Sequence, residues 1–178
     1  MNDLAAGHQP PSTVAKIGPS ATKGLMVVGA IAVVVVAFLL LTRALGIAEF
    51  WAGFLFLFFW AGIEQMRFER LNFAVVGACV GLLAALALNQ LPQLLGGGGL
   101  ALALAGVVAL VYCQVMGWLA LLVNNATMLF LTVATIPHLQ ASGNFPQMFA
   151  GLLVGVVFFG GLLWSAFRVA RWRAARKA

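Results

Sequence analysis

Apolar residues fall into six runs broken by short polar stretches, at about 25–45, 47–63, 72–90, 99–122, 125–139 and 147–167. A bilayer-spanning helix needs roughly 20 apolar residues, and four of the runs come near or exceed that length. The runs are continuous, as in "AIAVVVVAFLLL" and "LALALAGVVALV". Strands of an outer-membrane barrel would instead alternate apolar and polar positions over about ten residues. The pattern predicts an all-α polytopic transmembrane helical bundle of about six membrane segments.

The second and fifth runs are short. Only 14 uncharged residues lie between Glu49 and Glu64, about 21 Å as a helix, against a hydrocarbon core of about 30 Å. The fifth runs from Asn125 to Pro137. Each is expected to be a tilted helix with polar ends or a helix broken near the membrane. Its terminal backbone groups then need protein or water partners. The link "NQLPQLLGGGG" divides the chain into halves 25–90 and 99–167, and its glycines predict a flexible connection.

The two short runs lie 74 residues apart. Shifting the chain by 74 places "AGFLFL" on "ATMLFL" and the pair Gly77/Gly81 on Gly151/Gly155. Seven identities occur over positions 50–84 (Ala52, Leu55, Phe56, Leu57, Gly77, Val80, Gly81). The order long, short, long recurs in each half. Three segments per half require the second copy to be inverted, an arrangement found in transporters with the pathway at the repeat interface. Chance recurrence of Gly and Leu in a biased composition is the competing reading. Gly77, Gly81, Gly151 and Gly155 are expected to be packing positions, since glycines one turn apart let helices approach closely.

The fifth run carries unusual polarity, in "VNNATMLFLTVATIPHLQ". On a helix, Asn124, Thr127, Leu131, Thr135 and His138 form one stripe at i, i+3, i+7, i+11 and i+14. Asn125 and Thr132 lie on a flanking line. Two readings stay open. Asn124 or Asn125 can cap the helix, threonines can bond back to helix carbonyls, and Pro137 can end the helix. Alternatively the stripe lines a solvated path or binding site, because a polar face in lipid must meet protein or water. Glu49 and Glu64 flank the second run, and Glu64 falls on His138 under the 74-residue shift. These titratable groups are candidate path-end residues. A helix-end ion pair between Glu64 and Arg67 is the simpler account of Glu64. Gln114, in mid-span, is expected to find an inter-helix partner. The five tryptophans (Trp51, Trp60, Trp118, Trp164, Trp172) fall at or near span ends and predict interfacial belts.

Composition narrows the class further. The 178 residues are 63% hydrophobic and 8% charged, with mean hydropathy +1.07. A soluble core of this length does not need so much apolar surface. No charged residue occurs in the 97 positions between Arg70 and Arg168. The net charge of +6 does not indicate nucleic-acid binding, because five of the ten basic residues (Arg168, Arg171, Arg173, Arg176, Lys177) follow the last apolar run. With six spans, nine basic residues fall on the side of both termini and only Arg43 on the other. That imbalance predicts cytoplasmic termini. Residues 1–23 are expected to be a flexible tail, 24–167 the transmembrane domain and 168–178 a basic tail. Cys79 and Cys113 fall within spans and are expected to pack as small apolar residues. No nucleophile–base spacing or metal-ligand cluster is present, so neither an enzyme nor a cofactor is expected.

The stretches "FWAGFLFLFFWAG", "VVGACVGLLAALAL" and "ATMLFLTVATIPHLQASGNFPQMFAGLLVGVVFFGGLLW" resemble small bacterial inner-membrane proteins of the YcdZ type, a domain family of unknown function. The resemblance covers about 25–167 and departs from the family in the charged loop 64–70. It implies a bacterial plasma-membrane location and supplies no functional residues. Together these readings predict a small permease or channel subunit for an unknown small solute, working as a homo-oligomer in the lipid bilayer. The rival is a non-transporting structural or accessory subunit of a larger membrane complex.

Overall fold

A computed structural model describes residues 21–176; the remainder of the expected N-terminal tail, residues 1–20, and residues 177–178 lie outside the described residues. Among the described residues every regular element is helical: α1 (Ala21–Ala44), α2 (Trp51–Gly62), a 3-10 turn (Phe68–Arg70), α3 (Leu71–Met116), α4 (Asn125–Ala134), α5 (Pro137–Ser142) and α6 (Phe145–Ala175). Three helical stretches are long and apolar enough to cross a membrane, namely Gly24–Ala44, Phe68–Met116 and Phe145–Ala175. The described residues are thus all-α, with apolar helices compatible with a membrane protein. The two remaining apolar helices, α2 and α4, have 12 and 10 residues, or about 18 and 15 Å. The two short runs of the sequence are therefore short helices.

The chain divides at Val36 into two compact units. In the first, residues 21–36 are a single run of α1 whose large apolar side chains, such as Leu25 and Val33, are mostly exposed. The second unit, from Ala37, holds the core. Ala52, Phe56, Phe59 and Trp60 of α2, Ala74, Ala78, Leu82 and Ala85 of α3, Ala126, Phe130 and Ala134 of α4, and Met148 and Leu152 of α6 form one buried cluster. Small residues dominate the α3 contribution, which lets helix backbones come close. Trp60 is fully buried, stacked on Phe56 at 5.9 Å and edge-on to Phe68 at 5.4 Å. Its indole N–H donates to the Arg67 carbonyl at 3.1 Å. It is a core residue, whereas the sequence placed it in an interfacial belt. The difference arises because the chain folds back over it at 64–70.

The glycine-rich link is also different from expectation. Helix α3 continues through it and contains one non-helical residue, Gly96, at φ 60 and ψ −138. That conformation is nearly closed to residues with a Cβ. A Cβ built on Gly99 would collide with the Leu91 carbonyl. Eight residues along a straight helix would separate them by about 12 Å, so the chain reverses at Gly96. Helix α3 is a hairpin of two helical arms, 71–95 and 97–116. The second arm stops at Gly117, in the left-handed conformation with φ 68, short of the 122 expected. At the other end of the chain the expected basic tail is helical, since α6 runs without interruption to Ala175.

Candidate functional site

The glycine pairs define two helix seams. In the first, α2 lies on α6. A Cβ on Gly155 would stand 2.5 Å from the Gly53 Cα, and one on Gly151 would strike the Glu49 carbonyl. Backbone therefore meets backbone, and aromatic rings close the edges, with Phe38 edge-on to Phe54 at 4.9 Å and tilted against Phe159 at 4.8 Å. In the second seam, α4 lies on the first arm of α3. A Cβ on Gly81 would stand 2.5 Å from the Thr127 carbonyl oxygen, and one on Gly77 would overlap the Asn124 amide. Successive contacts advance in the same direction on both partners. Helix α2 thus runs parallel to α6, and α4 parallel to the first arm of α3.

The second seam is held by amides. Asn124 caps α4, its Oδ1 accepting from the Ala126 and Thr127 N–H groups at 2.9 and 3.4 Å. Thr127 Oγ1 in turn accepts from the Asn124 N–H at 3.1 Å, closing a capping box, and donates to the Leu122 carbonyl. The Asn124 Nδ2 donates across the seam to the Phe73 carbonyl at 2.9 Å. Four orphan N–H groups at a helix start need such partners when water is excluded. At the far end, Pro137 holds Ile136 at ψ 130, outside the helical region, as expected for a residue before proline. Helix α4 therefore stops at Ala134. Gln140 reaches back, its Nε2 donating to the Ala134 carbonyl at the end of α4 at 2.8 Å and to the Ala85 carbonyl of α3 at 3.2 Å. Asn89 Nδ2 donates to the Gln140 carbonyl at 2.9 Å.

The predicted polar stripe is consequently not one helical face. Asn124 and Thr127 turn inward and are occupied by capping bonds. Thr135 is the C-cap, its hydroxyl donating to Thr132, and His138 lies beyond the break on α5. The flanking line turns outward. Asn125 is exposed and accepts from Gln114 Nε2 at 2.9 Å, and Thr132 donates to Met128 within the helix. Gln114 has the partner expected of it.

Glu49 and His138 come to the same end of the fold. Glu49 Oε2 accepts from the Trp51 indole at 2.7 Å. Trp51 lines an open apolar cleft of about 590 Å³, between Phe54 and Phe58 of α2 on one side and Val133, Ile136 and His138 on the other. Glu64 lies apart, where α2 has already ended. Gln65 and Met66 turn there with positive φ, so Glu64 and Arg67 are not helical neighbours. Arg67 pairs instead with Glu69, at 3.2 Å on the surface. The expected Glu64–Arg67 pair is replaced because helical i, i+3 geometry is absent. No three His, Cys, Asp or Glu side chains come together among the described residues. No buried side-chain nitrogen or oxygen there lacks a hydrogen-bond partner.

Three seam residues escape a sequence reading. Gly53 has a signal in hindsight, since it falls 74 residues before Thr127. Gln140 and Asn89 have none, because their partners are backbone carbonyls 55 and 51 residues away. Comparison with protein-family models, characterised proteins and solved structures found no match. The likeness to YcdZ-type proteins rests on its quoted motifs alone.

Proposed function

We propose that the chain is a six-segment inner-membrane protein built of two inverted three-helix halves. In this reading it is a small permease or channel subunit that moves a small solute along the cleft between its two short helices. One observation carries the proposal. Each short helix packs through matching glycines on the long closing helix of the other half, and the two short helices flank one open cleft. Helix starts support the duplication: Trp51 and Asn125 are 74 apart, as are Leu71 and Phe145. Helix direction supports six crossings. The parallel pairs are the second with the sixth and the third with the fifth, and an even difference in crossing number gives a common direction. Short segments in corresponding positions of two halves are a feature of transporter binding sites.

Trp51, Phe54 and Phe58 give the cleft an apolar wall, with His138 across from them and Glu49 hydrogen-bonded to Trp51; in this reading the path continues past Asn125, Thr132 and Thr135, which stand on α4 outside that lining. That lining suits a small, mostly uncharged or proton-coupled solute. The cleft is open to one side of a single chain, so a second copy would close it in a homo-oligomer. The nine-to-one distribution of basic residues supports cytoplasmic termini, and the YcdZ-type resemblance supports a bacterial plasma membrane. Purified protein in liposomes tests the reading. Solute or ion flux above empty vesicles is expected, and Asn125→Leu or Thr135→Val should abolish it with folding preserved. Unchanged flux in both variants would remove the polar path.

A second reading, a non-transporting accessory subunit, is favoured because, among the described residues, every buried side-chain nitrogen and oxygen already has a hydrogen-bond partner. Absence of flux together with a stoichiometric co-purifying partner would establish it over transport.

A further inference from the structure

The strongest unassigned feature lies at the C-terminal end of α6. Helix α6 spans 31 residues, about 46 Å, and overshoots a hydrocarbon core of about 30 Å. Counted from Phe145, Trp164 stands about 28 Å along the axis, at the far boundary. Arg168 and Arg171 stand one and two turns beyond, at the depth of lipid phosphates. The three share a stripe at i, i+4 and i+7. Arg168 lies over the Trp164 ring at 5.1 Å. The turn 68–70 brings Phe68 against Phe167 at 5.8 Å. Phe68, Trp164, Phe167, Arg168 and Arg171 together line a cleft of about 570 Å³.

The charge in this cleft is one-sided. Glu69 adjoins Phe68, and its carboxylate is turned to Arg67 at 3.2 Å. Among the described residues neither Arg168 nor Arg171 has a carboxylate within ion-pairing distance. The floor is aromatic and the rim carries two guanidiniums, which are planar forks suited to phosphate oxygens.

We infer that this cleft is a headgroup site for an anionic phospholipid of the adjoining leaflet. The phosphate sits between Arg168 and Arg171, and the first acyl carbons lie on Trp164 and Phe167. Phosphatidylglycerol serves as the probe. The full chain in detergent is titrated with phosphatidylglycerol or phosphatidylcholine, and binding is read by native mass spectrometry and thermal shift. Phosphatidylglycerol should be preferred. Arg168→Gln/Arg171→Gln should reduce that preference about 30-fold, from roughly 1 kcal/mol per basic residue at the membrane surface. Arg173→Gln, on another face of α6, should retain it. Both variants should unfold at the wild-type temperature in phosphatidylcholine, since the arginines are exposed. Equal losses from Arg173→Gln and the double variant would overturn the site in favour of diffuse attraction. Displacement of the lipid by millimolar inorganic phosphate would overturn a lipid-specific site in favour of one for free phosphate.

Discussion

At one seam Gly53 of α2 lies against Gly155 of α6, and at the other Thr127 of α4 lies against Gly81 of α3. A shift of 74 residues carries 53 onto 127, and the reverse shift carries 155 onto 81. The contacts are equivalent, and the chemistry that locks them is not. The first seam has glycine on both sides and aromatic rings at its margins. Phe50 precedes α2 and offers no side-chain cap. The second seam has glycine on one side only. Asn124 stands at the position equivalent to Phe50 and both caps α4 and ties it to α3. Close approach in lipid can thus be secured by dispersion along bare backbone or by amides that satisfy helix ends. An aromatic seam tolerates loss of a polar group and not added volume. The amide seam is sensitive to both.

The largest effect should come from volume. Gly155→Val puts branched carbon into the Gly53 backbone, which has nowhere to move. A loss of several kcal/mol, of the order seen for severe overpacking, should prevent recovery of folded protein in mild detergent. Wild-type yield and melting would refute the backbone contact. Gly81→Ala strikes the Thr127 and Leu131 backbone and should destabilise α4 by about 1–3 kcal/mol, read as a lower unfolding midpoint. Asn124→Ala is next. It removes a cap and an inter-helix bond, together about 2 kcal/mol, while Phe50→Ala should leave the α2 start unaltered in hydrogen exchange. If both variants released their helix starts equally, the contrast between the seams would fail. Gln140→Leu should cost about 1 kcal/mol and loosen the α4–α5 break. Smallest of all, Glu69→Ala removes an exposed ion pair and should shift stability by well under about 1 kcal/mol.

Several of these features were legible in the sequence. The short runs, the helical class and the glycine pairs follow from run length and spacing, which are local properties. Other features depend on where the chain turns. The stripe from Asn124 to His138 assumes an unbroken helix, but Pro137 and the extended Ile136 end it at Ala134, so Thr135 and His138 leave the face. The four glycines at 96–99 look like a flexible link, yet only Gly96 departs from helical geometry, and Gly99 is needed as bare backbone beneath Leu91. Trp60 resembles an interfacial tryptophan until the loop 64–70 covers it and accepts its N–H. In each case one backbone torsion or one distant carbonyl decides the outcome, and composition carries no record of either.

The order of the two seams along the chain has a consequence for how the protein is made. Helix α4 emerges from the ribosome after its partner, the first arm of α3, so its seam can close at once. Helix α2 emerges 102 residues before Gly155, the glycine that Gly53 must meet. At about 5–20 residues per second, a 12-residue apolar helix waits roughly 5–20 s without its partner. Its seam with α6 is therefore the later of the two to close, since α4 meets its partner as soon as it is made.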